Sequence, residues 1–123
     1  MTEYEILDLI SSNTSDLVTM FTVYLSLVTA YVAVGYFAGA GLSTIQAGAL
    51  TTLFIFGSVG HALGQYNVTL HSAELFMRLS EIRPLTTFES GYVSTGVAWT
   101  VALLIGIAVA LGFMWNVRHT KEK

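Results

Sequence analysis

LVTMFTVYLSLVTAYVAVGYF, residues 17–37, has no charged side chain and decides which kind of fold this chain can adopt. It belongs to a longer run, between Asp16 and Glu74, that lacks Asp, Glu, Lys and Arg, and a second such run separates Glu89 from Arg118. A bilayer core of about 30 Å needs about 20 helical residues to cross it. The first run is therefore long enough for two membrane crossings with a turn between them, and the second for one.

The charge-free runs predict an all-α integral membrane protein of a single domain with three transmembrane helices. The chain has 123 residues, of which 11% are charged, well below the roughly 25% of a soluble domain. We expect the spans at residues 17–38, 44–66 and 87–117. Residues 1–15 are predicted to form an N-terminal amphipathic segment, and residues 118–123 a basic tail.

Residues 70–83 differ from the spans because charged and apolar side chains alternate at helical spacing. Glu74, Arg78 and Glu81 share one face of a helix, and four apolar side chains share another before Pro84 ends the pattern. This predicts a short amphipathic helix between the second and third spans, lying on the membrane or packed against the bundle. A second helix that continues without a break is the alternative.

Local signals predict where the helices begin and end. Asn13 or Ser15 could cap the start of the first helix, and the glycines of residues 39–41 could end it in the left-handed conformation. Two capping boxes, at residues 43–46 and 86–89, predict the starts of the second and third helices.

Small and hydroxyl residues recur at spacings that predict close packing between helices. In the first span they alternate at spacings of three and four, which keeps them on one face, and the opposite face, with Phe21, Val28 and Val32, is expected to contact lipid. The second span holds a G-x-x-x-G pair, and the third a ridge of small residues spaced by four. The predicted helix-packing residues are Thr19, Thr22, Ser26, Thr29, Gly60, Ala98, Ala102, Gly106 and Ala110.

His61 is the one ionisable side chain well inside a predicted span. One interpretation is that neutral His61 forms a hydrogen bond with a Thr or Tyr hydroxyl of the first helix. Another is that it is an axial ligand of a haem or chlorin, with Gly57 and Gly64 clearing the same helix face for the macrocycle. A pH-sensing histidine is a third interpretation.

Several functions are disfavoured by residues that the chain lacks. It has no cysteine, no nucleophile or phosphate-binding motif and no basic patch, so we expect neither an enzyme, a metal site nor nucleic-acid binding. Apart from Glu89 in the first turn of the third span, which is expected to stand clear of the lipid, no carboxylate or Lys/Arg cation lies within a span, and this argues against ion-coupled transport.

The remaining pattern predicts a small membrane protein that acts through helix–helix association, either as a homo-oligomer or as an accessory subunit of a larger membrane complex. Its partners would be the lipid bilayer and itself or other membrane proteins. The alternatives are a small oligomeric transporter or pore for a neutral solute, and a tetrapyrrole-binding protein. Three basic residues in the C-terminal tail against two in the loop before the third span favour a cytoplasmic C-terminus and an outside N-terminus, in a bacterial inner membrane.

Overall fold

Three long helices make up nearly all of the chain in the computed structural model, which describes residues 1–120 apart from the side chain of Val93. Helix α1 is Glu3–Ala38, α2 is Thr44–Ser80 and α3 is Thr87–His119, with a short 3₁₀ turn at Gly39–Gly41. Each helix is long and apolar enough to cross a membrane. The prediction of an all-α membrane protein with three such helices is confirmed.

Each helix begins with a capping box, in which a Thr or Ser side chain and the residue three positions later each accept a hydrogen bond from the other's backbone N–H. The boxes at Ser43–Gln46 and Thr86–Glu89 are those predicted from the sequence. The third, Thr2–Glu5, begins α1 fourteen residues before the predicted span at Leu17, so the predicted start near Asn13 is wrong. The T-x-x-E spacing was the signal for the earlier start.

The helices run up, down and up, so that α1 and α3 are parallel to each other and α2 is antiparallel to both. Near the N-terminus, Ile6 of α1 packs with Leu79 at the end of α2. Further along, a hydrogen bond of 2.8 Å joins the Tyr31 hydroxyl to Thr51 near the start of α2. The short turn between α1 and α2 brings this pair of helices into the antiparallel hairpin that its length requires.

The turn after α1 does not use left-handed glycine, which corrects the sequence prediction. Gly39 has φ −54° and ψ −41°, and Gly41 does not have a positive φ either. Gly39 lies in close contact with α3 instead, since a Cβ there would lie 3.1 Å from Cγ1 of Val117. Arg118 closes the turn, donating hydrogen bonds from Nη1 to the carbonyl oxygens of Gly39 (3.0 Å) and Leu42 (2.7 Å).

The helices are longer than a bilayer core requires. With 37 residues, α2 is about 55 Å long against a hydrocarbon core of about 30 Å. We assign the charge-free residues 17–38, 44–66 and 96–117 to a span region. The remaining helical residues, 3–16, 67–80 and 87–95, continue the bundle past this charge-free region, and we call them the extension.

Residues 70–83 do not form the separate amphipathic helix that their composition predicts, because α2 continues through them to Ser80. The apolar face contributes Leu75, Phe76 and Leu79 to a small core. Ile6 and Ile10 complete this core from α1, so the N-terminal amphipathic segment is likewise part of a longer helix. Burial of both apolar faces against each other stabilises the two segments as helices.

Candidate helix-association surface

In the span region each helix has one face directed into the bundle. On α1 this inward face carries two tyrosines. Tyr24 and Tyr31 are 4% and 3% exposed. The Tyr24 hydroxyl donates to the carbonyl oxygen of Leu103 (2.5 Å), and the Tyr31 ring stacks on Phe54 with centroids 4.1 Å apart. These contacts fix the rotation of α1 about its axis.

That rotation places the hydroxyl seam (Thr19, Thr22, Ser26 and Thr29) on the outside of the bundle. All four residues are exposed. Three of the hydroxyls donate to backbone carbonyls four residues earlier, which removes their need for another acceptor in lipid. Among the hydrogen bonds of residues 1–120, none involves the Thr29 hydroxyl, which lies near the middle of the span region. The seam therefore presents small side chains and hydroxyl oxygens to any helix or lipid that packs against it.

The face that the sequence assigned to lipid is partly buried, which corrects that prediction. Phe21, Val28 and Val32 pack against the core of the span region. Val18 and Leu25, which the same helical spacing assigns to that face, are exposed. Lipid and a protein core are equally apolar, so hydrophobicity alone cannot tell the two faces of a membrane helix apart.

The small-residue ridge of α3 is divided between the inside and the outside. Ala98 and Ala102 are exposed, whereas Ala110 is 1% exposed. Gly106 lies against Tyr24, because a Cβ there would be 2.5 Å from the tyrosine oxygen. A spacing of four exceeds one helical turn by about 40°, so three such steps rotate the ridge by about 120° around the helix. Gly60 of α2 is exposed, and a Cβ there would meet nothing within 4 Å.

His61 is half-buried on the side of α2 that faces α1. The two glycines beside it admit side chains of α1: a Cβ at Gly57 would lie 3.2 Å from Leu27 Cδ1, and one at Gly64 would collide with Met20. The predicted hydrogen bond between His61 and a Thr or Tyr hydroxyl of the first helix is not among the hydrogen bonds of residues 1–120, and the nearby hydroxyls of Thr22 and Tyr24 donate to backbone carbonyls instead. The small residues flanking His61 therefore serve the packing of α1 on α2.

Gln65 and Trp99 form a polar contact in the core that the sequence did not single out. Gln65 is 0% exposed, and its Oε1 accepts a hydrogen bond from Trp99 Nε1 at 3.0 Å. Phe21 covers the Trp99 ring at a centroid distance of 4.7 Å. Among the described residues, Gln65 Nε2 is buried without a partner. The signal was present in the sequence, since Gln65 continues the three-and-four spacing of Ser58 and Ala62.

At the boundary between the span region and the extension, Asn13 links α1 to α2. Asn13 Nδ2 donates to Ser72 Oγ (3.0 Å), and a hydrogen bond of 3.1 Å joins the same nitrogen to His71 Nδ1. Asn13 was predicted as a helix cap, but it lies inside α1 and holds a neighbouring helix instead.

Arg83, in the loop between α2 and α3, links this loop to α1 and to α3. Its Nε donates to Glu3 (2.6 Å), and its Nη1 and Nη2 donate to the two carboxylate oxygens of Glu89 (3.0 and 2.9 Å). These hydrogen bonds raise the pKa of Arg83, and together with the backbone N–H of Thr86 they lower the pKa of Glu89 to about 2. The extension is thus closed at its far end by a bidentate ion pair.

Within residues 1–120, no group of three or more His, Cys, Asp or Glu residues could hold a metal ion. No protein-family model, no curated protein and no solved structure matches the chain.

Proposed function

We propose that this protein is a small integral membrane protein that acts through helix–helix association, with the hydroxyl seam of α1 as its contact surface. The observation that carries the proposal is that four small hydroxyl residues in heptad register lie on the face of α1 turned away from both partner helices. Lipid chains gain nothing from such a surface, whereas a second helix can approach it closely and pack its side chains between the small residues.

A groove beside the seam adds support. It holds about 520 Å³ and runs between α1 and α3 on the half of the span region nearest the first turn. Thr29 and Ala33 form its edge towards the seam, and Phe113 of α3 closes the other side. A partner helix crossing α1 at Ser26 could place a large side chain in this groove, as ridge-into-groove packing requires.

The form of association that we propose is a homo-oligomer, and the alternative is an accessory subunit bound to a larger membrane complex. We further infer that the C-terminus faces the cytoplasm of a bacterial cell, because three of the five Lys and Arg residues follow residue 117. The extension would then project from the outer face of the inner membrane.

The absence of cysteine from the sequence allows a direct test with single-cysteine variants. Thr22→Cys, Ser26→Cys and Thr29→Cys are expressed separately, and each is oxidised in native membranes before gel analysis. The proposal expects disulfide-linked dimers at these seam positions. The matched control is Ala108→Cys, an exposed small residue on α3 at a similar depth.

A second measurement distinguishes a stable interface between chains from random collisions that also form disulfides. Ser26→Leu should lower the mass of the detergent-solubilised particle, measured by light scattering during gel filtration, and Ala108→Leu should leave it unchanged. Homo-association through the seam is refuted if the seam cysteines crosslink no better than Ala108→Cys and the wild-type particle has the mass of one chain.

The transporter alternative requires the same seam to line a water-filled path. Because the seam is on the outside of a single bundle, such a path could form only between chains. Water-soluble maleimide would then label Ser26→Cys in the intact oligomer, whereas a packed helix interface would exclude it. Nothing in the structure favours the tetrapyrrole alternative over packing at His61.

A further inference from the structure

A second groove lies between the first turns of α2 and the last turns of α3, and no part of the proposed function uses it. It holds about 570 Å³. Gly48, Thr52 and Trp115 on its walls are exposed, so the groove is open along its length to whatever surrounds the bundle. From Thr44 to Ile55 it extends about 16 Å along α2, which is roughly half the thickness of a bilayer core.

The groove changes from polar to apolar along its length. Its end at the membrane boundary is lined by Arg118, His119 and Thr44, and its other end by Ile55 and Leu111. This is the order of chemical groups in one leaflet, where headgroups lie above hydrocarbon chains.

Arg118 supplies a fixed positive charge at the polar end. The two hydrogen bonds from its Nη1 to Gly39 and Leu42 hold the guanidinium in place while the side chain stays partly accessible. Within residues 1–120 it makes no other hydrogen bond, so the remaining N–H donors are available. All seven acidic residues of this part of the chain are at or beyond the opposite boundary of the span region, from Glu3 to Asp16 and from Glu74 to Glu89.

We propose that this groove binds an anionic phospholipid of the surrounding bilayer. The phosphate would accept hydrogen bonds from Arg118 and from the Thr44 hydroxyl, and one acyl chain would lie along Gly48, Thr52 and Ile55. Basic pockets between transmembrane helices favour anionic headgroups, and the bilayer supplies such lipids at high local concentration. A second parallel copy is a poorer occupant, because its own Arg118 would approach the same positive end.

Trp115 in the wall of the groove provides the readout. The protein is reconstituted in nanodiscs of phosphatidylcholine that contain either brominated phosphatidylglycerol or brominated phosphatidylcholine at the same mole fraction. Bromine on the acyl chain quenches indole fluorescence on contact. We expect severalfold stronger quenching by the anionic lipid. Trp99, about 24 Å away on the same helix, gives a constant background.

Two variants connect the quenching to the groove. Arg118→Gln should abolish the preference for the anionic lipid. Gly48→Leu fills the groove without changing the charge and should reduce quenching by both lipids. Gly60→Leu is its matched control, because both glycines are exposed on α2 and a Cβ at either would meet nothing within 4 Å.

Three results would overturn the proposal. The first is equal quenching of the wild-type protein by the two lipids, and the second is the same quenching in Gly48→Leu as in Gly60→Leu. The third is displacement of the brominated lipid by inorganic phosphate added to the buffer, which would identify a site for a soluble anion. If Arg118→Gln fails to fold, the comparison of the two glycine variants still decides the question. None of these results depends on the hydroxyl seam.

Discussion

Gly106→Ala tests whether the contact between α1 and α3 has the closeness that the structure gives it. A Cβ at this position would lie 2.5 Å from the Tyr24 oxygen, well inside van der Waals contact. The tyrosine cannot simply move away, because its ring is 4% exposed and its hydroxyl is hydrogen-bonded to the Leu103 carbonyl. Adding one methyl group therefore forces either the loss of that hydrogen bond or a separation of the two helices.

The expected cost follows from three contributions. Loss of a hydrogen bond between membrane helices costs about 0.6–1.7 kcal/mol. Overpacking of a closely packed core costs about 1–3 kcal/mol. Replacing glycine by alanine also stabilises the helix by about 1 kcal/mol, because alanine has the higher helix propensity. We therefore expect Gly106→Ala to lower the free energy of unfolding by about 1–4 kcal/mol.

Gly112→Ala is the matched control, because this glycine lies on the same helix and a Cβ there would meet nothing within 4 Å. It should be neutral or stabilising by up to about 1 kcal/mol. The assay is reversible unfolding in mixed micelles at increasing SDS fraction, followed by tryptophan fluorescence.

A double-mutant cycle identifies the atom responsible. In the Tyr24→Phe background the colliding oxygen is gone, so Gly106→Ala should cost less there, with a coupling of about 1–2 kcal/mol. The reasoning is refuted if Gly106→Ala and Gly112→Ala have the same effect, or if the cycle shows no coupling.

Two further predictions concern the extension. Arg83→Gln should destabilise the protein more than Arg78→Gln, because Arg83 bridges two helices whereas Arg78 forms an exposed ion pair within one. Since the pKa of Glu89 is lowered to about 2, its stabilising contribution is complete above about pH 4.5 and disappears as the pH falls towards 2. Arg83→Gln should flatten this acid dependence in circular dichroism melts, and an unchanged pH profile would contradict the ion-pair assignment. Asn13→Ala should cost about 1 kcal/mol through the lost hydrogen bond to Ser72, and should raise amide hydrogen exchange around residues 67–80; unchanged exchange there would show that the link is not needed.

The sequence was informative about the helix starts because capping is local. The Ser43–Gln46 and Thr86–Glu89 boxes lie where the spacing predicted them, since each needs only four consecutive residues. The same logic gives the start of α1 at Thr2–Glu5, although the cap-forming residues Asn13 and Ser15 also have the composition of a helix start. The continuity of α2 could also have been inferred, because no Gly or Pro interrupts residues 65–83.

The interior of the bundle was harder to predict because a membrane helix is apolar on every side. The usual contrast between a buried apolar face and a wet polar face is missing within the span region. Phe21 and Val28 accordingly appeared to be lipid-facing, and the inward orientation of Gln65 was not anticipated. The ridge from Ala98 to Ala110 looked like one surface, although only its last two members face the core.

By itself, the sequence determined that this chain forms three apolar helices with defined starts and no ionic group within a span. The positions of charged residues and of capping boxes are properties of short stretches of sequence, and they do not depend on contacts between helices. Which face of each helix is buried was decided only by the tertiary structure, through contacts such as Tyr24 with Leu103 and Trp99 with Gln65. The contacts of Tyr24 and Tyr31 fix the rotation of α1 and leave its hydroxyl seam on the outside, where a partner can reach it.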